Sequence, residues 1–382
     1  MAHEHHRSSL EDVLDFNPPP QLAPDQRIRA KRRFFSIINH FNTPDDSSTV
    51  SRYYNRPLLV LYTYEYALSE LSQDTVLTAF FDFVTLPIDG EEEIDFSDKA
   101  FEDALRNDLI YFADLLLDNF FLPLKAAGQQ TQRPSPAPLS AIQRTIGGDQ
   151  EYAGTPDRLS ALRGVCLIRD HYRCVISRQF DSKEALRRLK RDRTHARDDE
   201  GNPLQGQDFA TLEVAHILPH ALMKGDRDSQ LDRSKKAALD ILNMFDNGVV
   251  RLIEGNEIDR PFNAMTLSHD LHVWFGSFEV YFEEVLDERH TYRIKTFVPE
   301  ILPGLPVTRT LSHADNRTID PPLPWLLAIH RAIAMILHLS AAGEYIDKIL
   351  RDMEDLGVHT DGSTDVGRLV MLRLGDWITA GC

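Results

Sequence analysis

Cysteine is nearly absent from this chain of 382 residues: Cys166, Cys174 and Cys382 are the only three. Three thiols cannot build the disulfide framework of a small secreted scaffold or a four-cysteine zinc site, and they fit a reducing intracellular compartment. Cys174 reads as a small buried side chain. Net positive charge is also missing, with 42 lysines and arginines against 59 aspartates and glutamates, a formal net charge of −17. A surface of that sign excludes a protein coated with nucleic acid and makes any such contact local. No apolar run is long enough to span a membrane. The most apolar stretch, Trp325 to Ala342, is interrupted by His330, Arg331 and His338 and reads as an amphipathic or buried helix, so no membrane partner is expected. Met1 to Leu10 holds several histidines and no apolar core segment, so no secretory signal is expected and the chain is placed inside the cell, in cytoplasm or nucleus.

What is present describes an ordinary globular protein of two or three domains, 42% hydrophobic and 26% charged. Asp25 to Phe41 carries Ile28, Phe34, Phe35, Ile37, Ile38 and Phe41 among good helix formers, which predicts an amphipathic helix. Leu58 to Leu71 and Lys99 to Phe121 predict two more, with the acidic run Glu91 to Asp98 as a solvated loop leading into the second. Residues 1–125 are thus expected to form a helical domain. Residues 126–156, rich in proline, glycine, glutamine and serine, read as a linker. Residues 157–300 change character, with short runs expected as strands at Cys174 to Ile176, Leu212 to Ile217, Gly248 to Ile253, Phe278 to Val285 and Tyr292 to Phe297. Residues 301–382 return to helix at Leu323 to Leu339, Gly343 to Leu356 and a last segment ending near Leu374.

Chemistry concentrates in three segments of the mixed region. The first is Arg169-Asp170-His171-Tyr172-Arg173-Cys174-Val175-Ile176-Ser177, the second Glu213-Val214-Ala215-His216-Ile217-Leu218-Pro219, and the third runs from Asn263 to Gly276. Strand alternation puts Leu212, Val214 and His216 on one face, an imidazole at the end of an apolar row, and Pro219 stops the strand. In the third segment Ser268 suits an N-cap, Asp270 the first helical turn and Gly276 the C′ position. Leu271 and Phe275 then face the core, and His272 stands on the flank of that stripe, within reach of the preceding strand. The amide of Asn263 both donates and accepts and can tie the loop backbone. His220, beyond Pro219, and His269 read as surface residues.

In the order His216, Asn263, His272 these segments resemble the HNH endonuclease superfamily, and most closely the HNH-domain proteins of filamentous fungi. Leu326-Leu327-Ala328-Ile329-His330 and Leu339-Ser340-Ala341-Ala342 add a weaker likeness to the same proteins. The resemblance implies an α+β, mostly helical protein with a ββα-metal core embedded between helical N-terminal and C-terminal regions. It implies a divalent ion, magnesium, manganese or zinc, and hydrolysis of phosphodiester bonds to a 5′ phosphate and a 3′ hydroxyl. His216 is then the general base for water, Asn263 the loop-organising asparagine and His272 a metal ligand. Ala215 stands where many relatives carry a ligand, so Glu213 or Asp270 would serve directly or through water. Residues Leu218 to Phe262 form a long insertion, and Ser177 stands where a second cysteine of a structural zinc site would follow Cys174.

Asp157 to Arg197 contains twelve basic against five acidic residues in an otherwise acidic chain. Arg187, Arg188, Lys190, Arg191 and Arg193 are the expected contacts to phosphates, of DNA in the first instance. A protein partner on the helical flanks is the other expected interaction. The competing reading is a catalytically inactive HNH fold that serves as a nucleic-acid or protein interaction module.

Overall fold

The computed structural model describes residues 21–42, 54–129, 155–224, 233–311, 319–354, 366–375 and 377. Most of the expected linker at 126–156 lies outside the described residues. In chain order the elements are α1 (Pro24–Phe41), α2 (Arg56–Glu65), α3 (Glu70–Phe83), α4 (Lys99–Leu116), a π-helical turn (Leu117–Phe121), α5 (Leu122–Gly128), α6 (Thr155–Arg169), β1 (Phe180–Asp181), α7 (Ser182–Asp192), β2 (Phe209–Ala210) and β3 (Leu212–His216). There follow α8 (Arg233–Phe245), α9 (Val249–Ile253), β4 (Ala264–Ser268), α10 (His269–Gly276), β5 (Val280–Glu284), β6 (Thr291–Thr296), β7 (Val307–Thr310), α11 (Pro324–Leu339), α12 (Ala342–Glu354) and α13 (Val366–Leu374). The class is α+β and mostly helical.

The chain divides into two compact units. One is assembled from Met1–Ala126, Ala221–Leu252 and Ala332–Cys382, the other from Ala127–His220 and Ile253–Arg331. Much of the insertion that separates His216 from Asn263 in sequence therefore belongs to the first unit. Within that unit α1 buries Ala30, Phe34, Ile37, Ile38 and Phe41, the spacing of one helix face. Phe34 meets Phe80 edge-on at 5.0 Å, and Phe120 stacks on Phe245 at 5.4 Å. Among the described residues no single helix is long and apolar enough to cross a membrane.

Three local expectations need correction. The helix expected over Leu58 to Leu71 ends at Glu65, because the Ser69 hydroxyl accepts from Ser72 N at 3.1 Å and caps a new helix. Gly248 to Ile253 is helical over Val249–Ile253, with Leu252 N donating to Gly248 O at 3.3 Å; a short apolar run fits either state until a partner strand decides. Cys174 to Ile176 is a tight turn closed by Arg178 N on Cys174 O at 3.0 Å, not a strand.

The second unit holds the expected strand with the first histidine. β3 pairs antiparallel with β4, with Leu212 opposite Ser268 and His216 opposite Ala264. Leu162 and Cys166 of α6 pack with Ala264 and Val214 on this pair, and α10 follows directly from β4. A separate antiparallel sheet has the order β5-β6-β7. Ser268 occupies the N-cap position of α10, but its hydroxyl makes no capping bond; His269 N donates instead to Thr211 O at 3.1 Å. Gly276 is the last helical residue rather than a C′ stop. It is glycine for a different reason: a Cβ there would overlap the carbonyl oxygen of Gly128.

Candidate active site

The end of β3 and the segment before β4 are locked together before any functional side chain is placed. Arg169, fully buried at the end of α6, forms a bidentate pair with Asp170 at 2.8 and 2.9 Å. Its remaining N–H groups donate to the carbonyls of Pro261 at 2.7 Å, Ala264 at 2.9 Å and Asp320 at 3.2 Å, and Asp170 accepts from Thr266 N at 3.0 Å. A planar guanidinium thus fixes the backbone on both sides of residue 263. Asn263 is itself fully buried. Its Oδ1 accepts from Leu218 N at 2.9 Å, and its Nδ2 donates to the carbonyls of Leu218 and Ile258 at 3.0 and 2.9 Å. Ile217 N also donates to Asn263 O at 2.8 Å. This asparagine therefore closes the turn that follows His216 onto the segment that contains Asp259.

His216 ends β3 with its side chain 15% exposed, and its Nε2 lies 3.1 Å from Oδ1 of Asp259. The Nδ1 of His220 approaches the same oxygen at 2.7 Å, while Arg158 donates to Oδ2 at 3.1 Å. Asp259 is only 2% exposed. Burial alone would raise its carboxyl, yet the bonds from His216 and His220 outweigh burial and hold it well below the ordinary carboxylate range. It is therefore ionised and can only accept, which puts the facing imidazole protons on Nε2 of His216 and Nδ1 of His220. Burial pushes the His216 imidazole down, with Asp259 partly opposing that shift, so the neutral ring is favoured.

Glu213, three residues earlier on β3, lies on the other face of the strand's alternation. Its Oε2 accepts from Nδ1 of His272 at 2.9 Å and its Oε1 from Nδ1 of His269 at 3.1 Å. Burial raises this carboxyl, and the two histidines more than compensate, holding it below its ordinary value. His272 is buried as the helix-flank position requires, whereas the His269 side chain is 44% exposed. The structure thus brings His216 next to Asn263's turn and sets His272 in a second cluster with Glu213.

Among the described residues one set of side chains has the close spacing that a metal ion needs. His216, His220 and Asp259 offer three ligand atoms that all lie within 4.8 Å of one another. Glu213, His269 and His272 offer the same atom types, tied pairwise through the two carboxylate oxygens. Two imidazoles with one carboxylate suit manganese, iron or zinc, and suit magnesium less well.

Sequence reasoning missed Asp259 and Arg158, and it read His220 as a surface residue. The His220 side chain is only 10% exposed, because the chain turns back at Pro219 onto Asp259. No spacing rule marks an aspartate 43 residues from its histidine; the nearer signal was that Asp259 stands just four residues before Asn263.

The basic run lies on α7, capped by Asp181, whose Oδ1 accepts from Glu184 N at 2.8 Å. Arg188 is buried, bonded to Glu184 at 2.7 Å and to Asp199 at 2.6 Å. Arg187 pairs with Glu184 and Arg191 with Asp192, both remaining exposed, as are Lys190 and Arg193.

Residues 174–283 match the model of a family described as HNH endonuclease. The matched segment contains His216, Asp259, Asn263, His269 and His272. No curated protein and no solved structure matches the chain.

Proposed function

We propose, from the premise that residues 174–283 form a domain of the HNH endonuclease superfamily, that the protein is a metal-dependent endonuclease hydrolysing phosphodiester bonds of nucleic acid. The observation that carries this reading is the bond from His216 Nε2 to buried, ionised Asp259. With the proton fixed on Nε2, the lone pair of His216 sits on Nδ1, where it takes a proton from water. The resulting hydroxide attacks phosphorus in line with the 3′ oxygen, and the bond to that oxygen breaks with its electron pair staying on the oxygen. That oxygen takes a proton from solvent water to become the 3′ hydroxyl, and His216 returns its proton to solvent as the 5′ phosphate leaves. Asp259 stabilises the imidazolium formed in this step, as a carboxylate behind a basic histidine does in hydrolases generally.

His216 cannot give the same nitrogen to a metal and to Asp259 while serving as base, so His272, with Glu213 and His269, is the set assigned to the catalytic ion. A divalent ion held there supplies charge that stabilises the pentacovalent phosphorus and the leaving oxygen. Asn263 acts through the backbone, keeping the turn after His216 in register with Asp259. Exposed Arg187, Lys190, Arg191 and Arg193 of α7 and the turn after it are the proposed phosphate contacts, DNA being the favoured substrate.

A second reading, a binding module without hydrolysis, is favoured by one feature: buried Ala215 offers no ligand where many relatives have one. Plasmid nicking separates the two. Supercoiled DNA is incubated with wild type, His216→Ala and His272→Ala, with magnesium or manganese, the fold of each being checked by circular dichroism. Metal-dependent nicking that falls about 10²- to 10⁴-fold in His216→Ala is expected. A folded, metal-loaded wild type that nicks nothing supports the binding module.

A further inference from the structure

Orienting His216 requires one carboxylate and one hydrogen bond, yet Asp259 Oδ1 faces two imidazole nitrogens, at 3.1 and 2.7 Å. Ligand atoms bound at about 2.0 to 2.2 Å to one transition ion stand roughly 3 to 3.5 Å apart. The two spacings to Oδ1 need only a few tenths of an ångström of adjustment to match, and the two nitrogens lie within 4.8 Å of each other. Arg158 holds the other oxygen of Asp259 at 3.1 Å, the kind of outer partner that keeps a metal-binding carboxylate in place. The three side chains are largely enclosed, and the two rings are tilted 45° to one another with centroids 6.0 Å apart, so both can aim at one point.

We propose that His216, His220 and Asp259 form an inhibitory binding site for a first-row transition ion of the zinc kind. Two imidazoles and a carboxylate rank zinc, nickel and copper far above magnesium, so magnesium does not compete for this site; the cluster at Glu213 offers the same ligand types, and the variant Glu213→Gln/His272→Ala tells the two apart. From two neutral rings, binding needs no net proton release. In each ring the proton leaves the nitrogen facing Asp259 and is carried by the other ring nitrogen, while the freed lone pair goes to the ion. On His216 that places the proton on Nδ1, the atom that must accept one from water. Occupation of the site therefore removes the base whatever the second cluster at Glu213 holds. The inhibitory half of this proposal rests on His216 being the base; the binding half does not.

The test uses the full chain stripped of metal with a chelator. Wild type, His220→Ala, His220→Asn and the double variant Glu213→Gln/His272→Ala are titrated with zinc chloride by calorimetry and with cobalt chloride by visible absorbance, each variant first checked by circular dichroism. Histidines elsewhere, such as His3, His5 and His6, remain in every variant and cancel in the comparison. Wild type is expected to bind zinc at both histidine–carboxylate clusters; the double variant Glu213→Gln/His272→Ala isolates the site at His216, His220 and Asp259, and in both His220 variants that site weakens about tenfold or more. Magnesium-dependent nicking by wild type should fall as that site fills, and His220→Asn should need correspondingly more zinc for the same inhibition. Equal zinc affinity and stoichiometry in wild type and both His220 variants overturns the site. Zinc bound through His220 with nicking unaffected overturns the inhibitory role and removes His216 as base. Absence of nicking with every metal is a failure of the nuclease reading, and the binding titrations still decide the site.

Discussion

Nε2 of His216 and Oδ1 of Asp259 stand 3.1 Å apart although 43 residues of sequence separate them. Because Asp259 raises the His216 imidazole against the lowering effect of burial, its charge and its bond both bear on the reaction. Asp259→Asn keeps the size of the side chain and removes the charge. Nicking is expected to fall by about 10²-fold, and the acid limb of the kcat/KM profile should move to lower pH, since the support for protonated His216 is gone. A pH series of single-turnover nicking rates measures both. An unshifted acid limb at wild-type rate would show that Asp259 is only a structural partner.

Asn263 meets three backbone groups with one amide, and each is buried. Asn263→Ala strands all three, at about 1 to 3 kcal/mol for each group left unpaired and less where the backbone relaxes. Asn263→Asp should be worse, because a carboxylate oxygen replaces the NH₂ that donates to Leu218 O and Ile258 O and meets two carbonyls instead. The expected order of stability in urea unfolding is wild type, then alanine, then aspartate. Aspartate matching wild type would contradict the bonding pattern.

Much of this site could be read from the chain because its parts are local. The alternation of Leu212, Val214 and His216, the helix flank occupied by His272 and the amide at Asn263 each follow from a few neighbouring residues, and β3 and α10 form where those residues predict, whereas β4, the partner strand of β3, is not among the expected strands. What was not legible depends on partners that sequence distance hides. Asp259 reaches His216 only because Asn263 and Arg169 hold the intervening backbone, and Arg188 reads as an exposed cation until Glu184 and Asp199 are seen around it. Gly276 looked like a helix stop by residue type, whereas its cause is the close approach of Gly128.

His330 predicts an acid sensitivity outside the nuclease chemistry. Its ring stacks on Phe275 at 3.9 Å and on Phe278 at 4.6 Å, its Nε2 donates to Phe275 O at 3.0 Å, and its Nδ1 is buried without a partner. Burial pushes its pKa from 6.5 to about 3. Above pH 6.5 the residue is neutral whether folded or not. Between 6.5 and about 3 only the unfolded chain takes up the proton, so stability falls as pH falls, by at most about 1.4 kcal/mol per pH unit. His330→Phe keeps the ring stack and removes the titration. Urea midpoints at pH 7.5, 6 and 5 (about one to two units apart) should drop more steeply for wild type than for the variant; parallel slopes would acquit His330.

The arginines of α7 divide by burial, and their substitutions should divide the same way. Arg188 donates to Glu184, Asp199 and the carbonyl of Arg197 and lies over the rings of Tyr172 and Phe180 at 5.3 Å. Arg188→Ala leaves Glu184 and Asp199 without that counter-charge and is expected to cost about 2 to 4 kcal/mol of stability. Lys190, Arg191 and Arg193 are exposed, so changing all three to glutamate should leave stability nearly unchanged and act on binding. For each phosphate that the variant no longer neutralises, the slope of log affinity against log salt should shrink in magnitude by about 0.9. Fluorescence anisotropy of a labelled duplex across a salt series reads that slope directly. A slope identical to wild type would move the phosphate-binding surface off this helix, while a loss of fold in the triple variant would contradict the exposure on which the division rests.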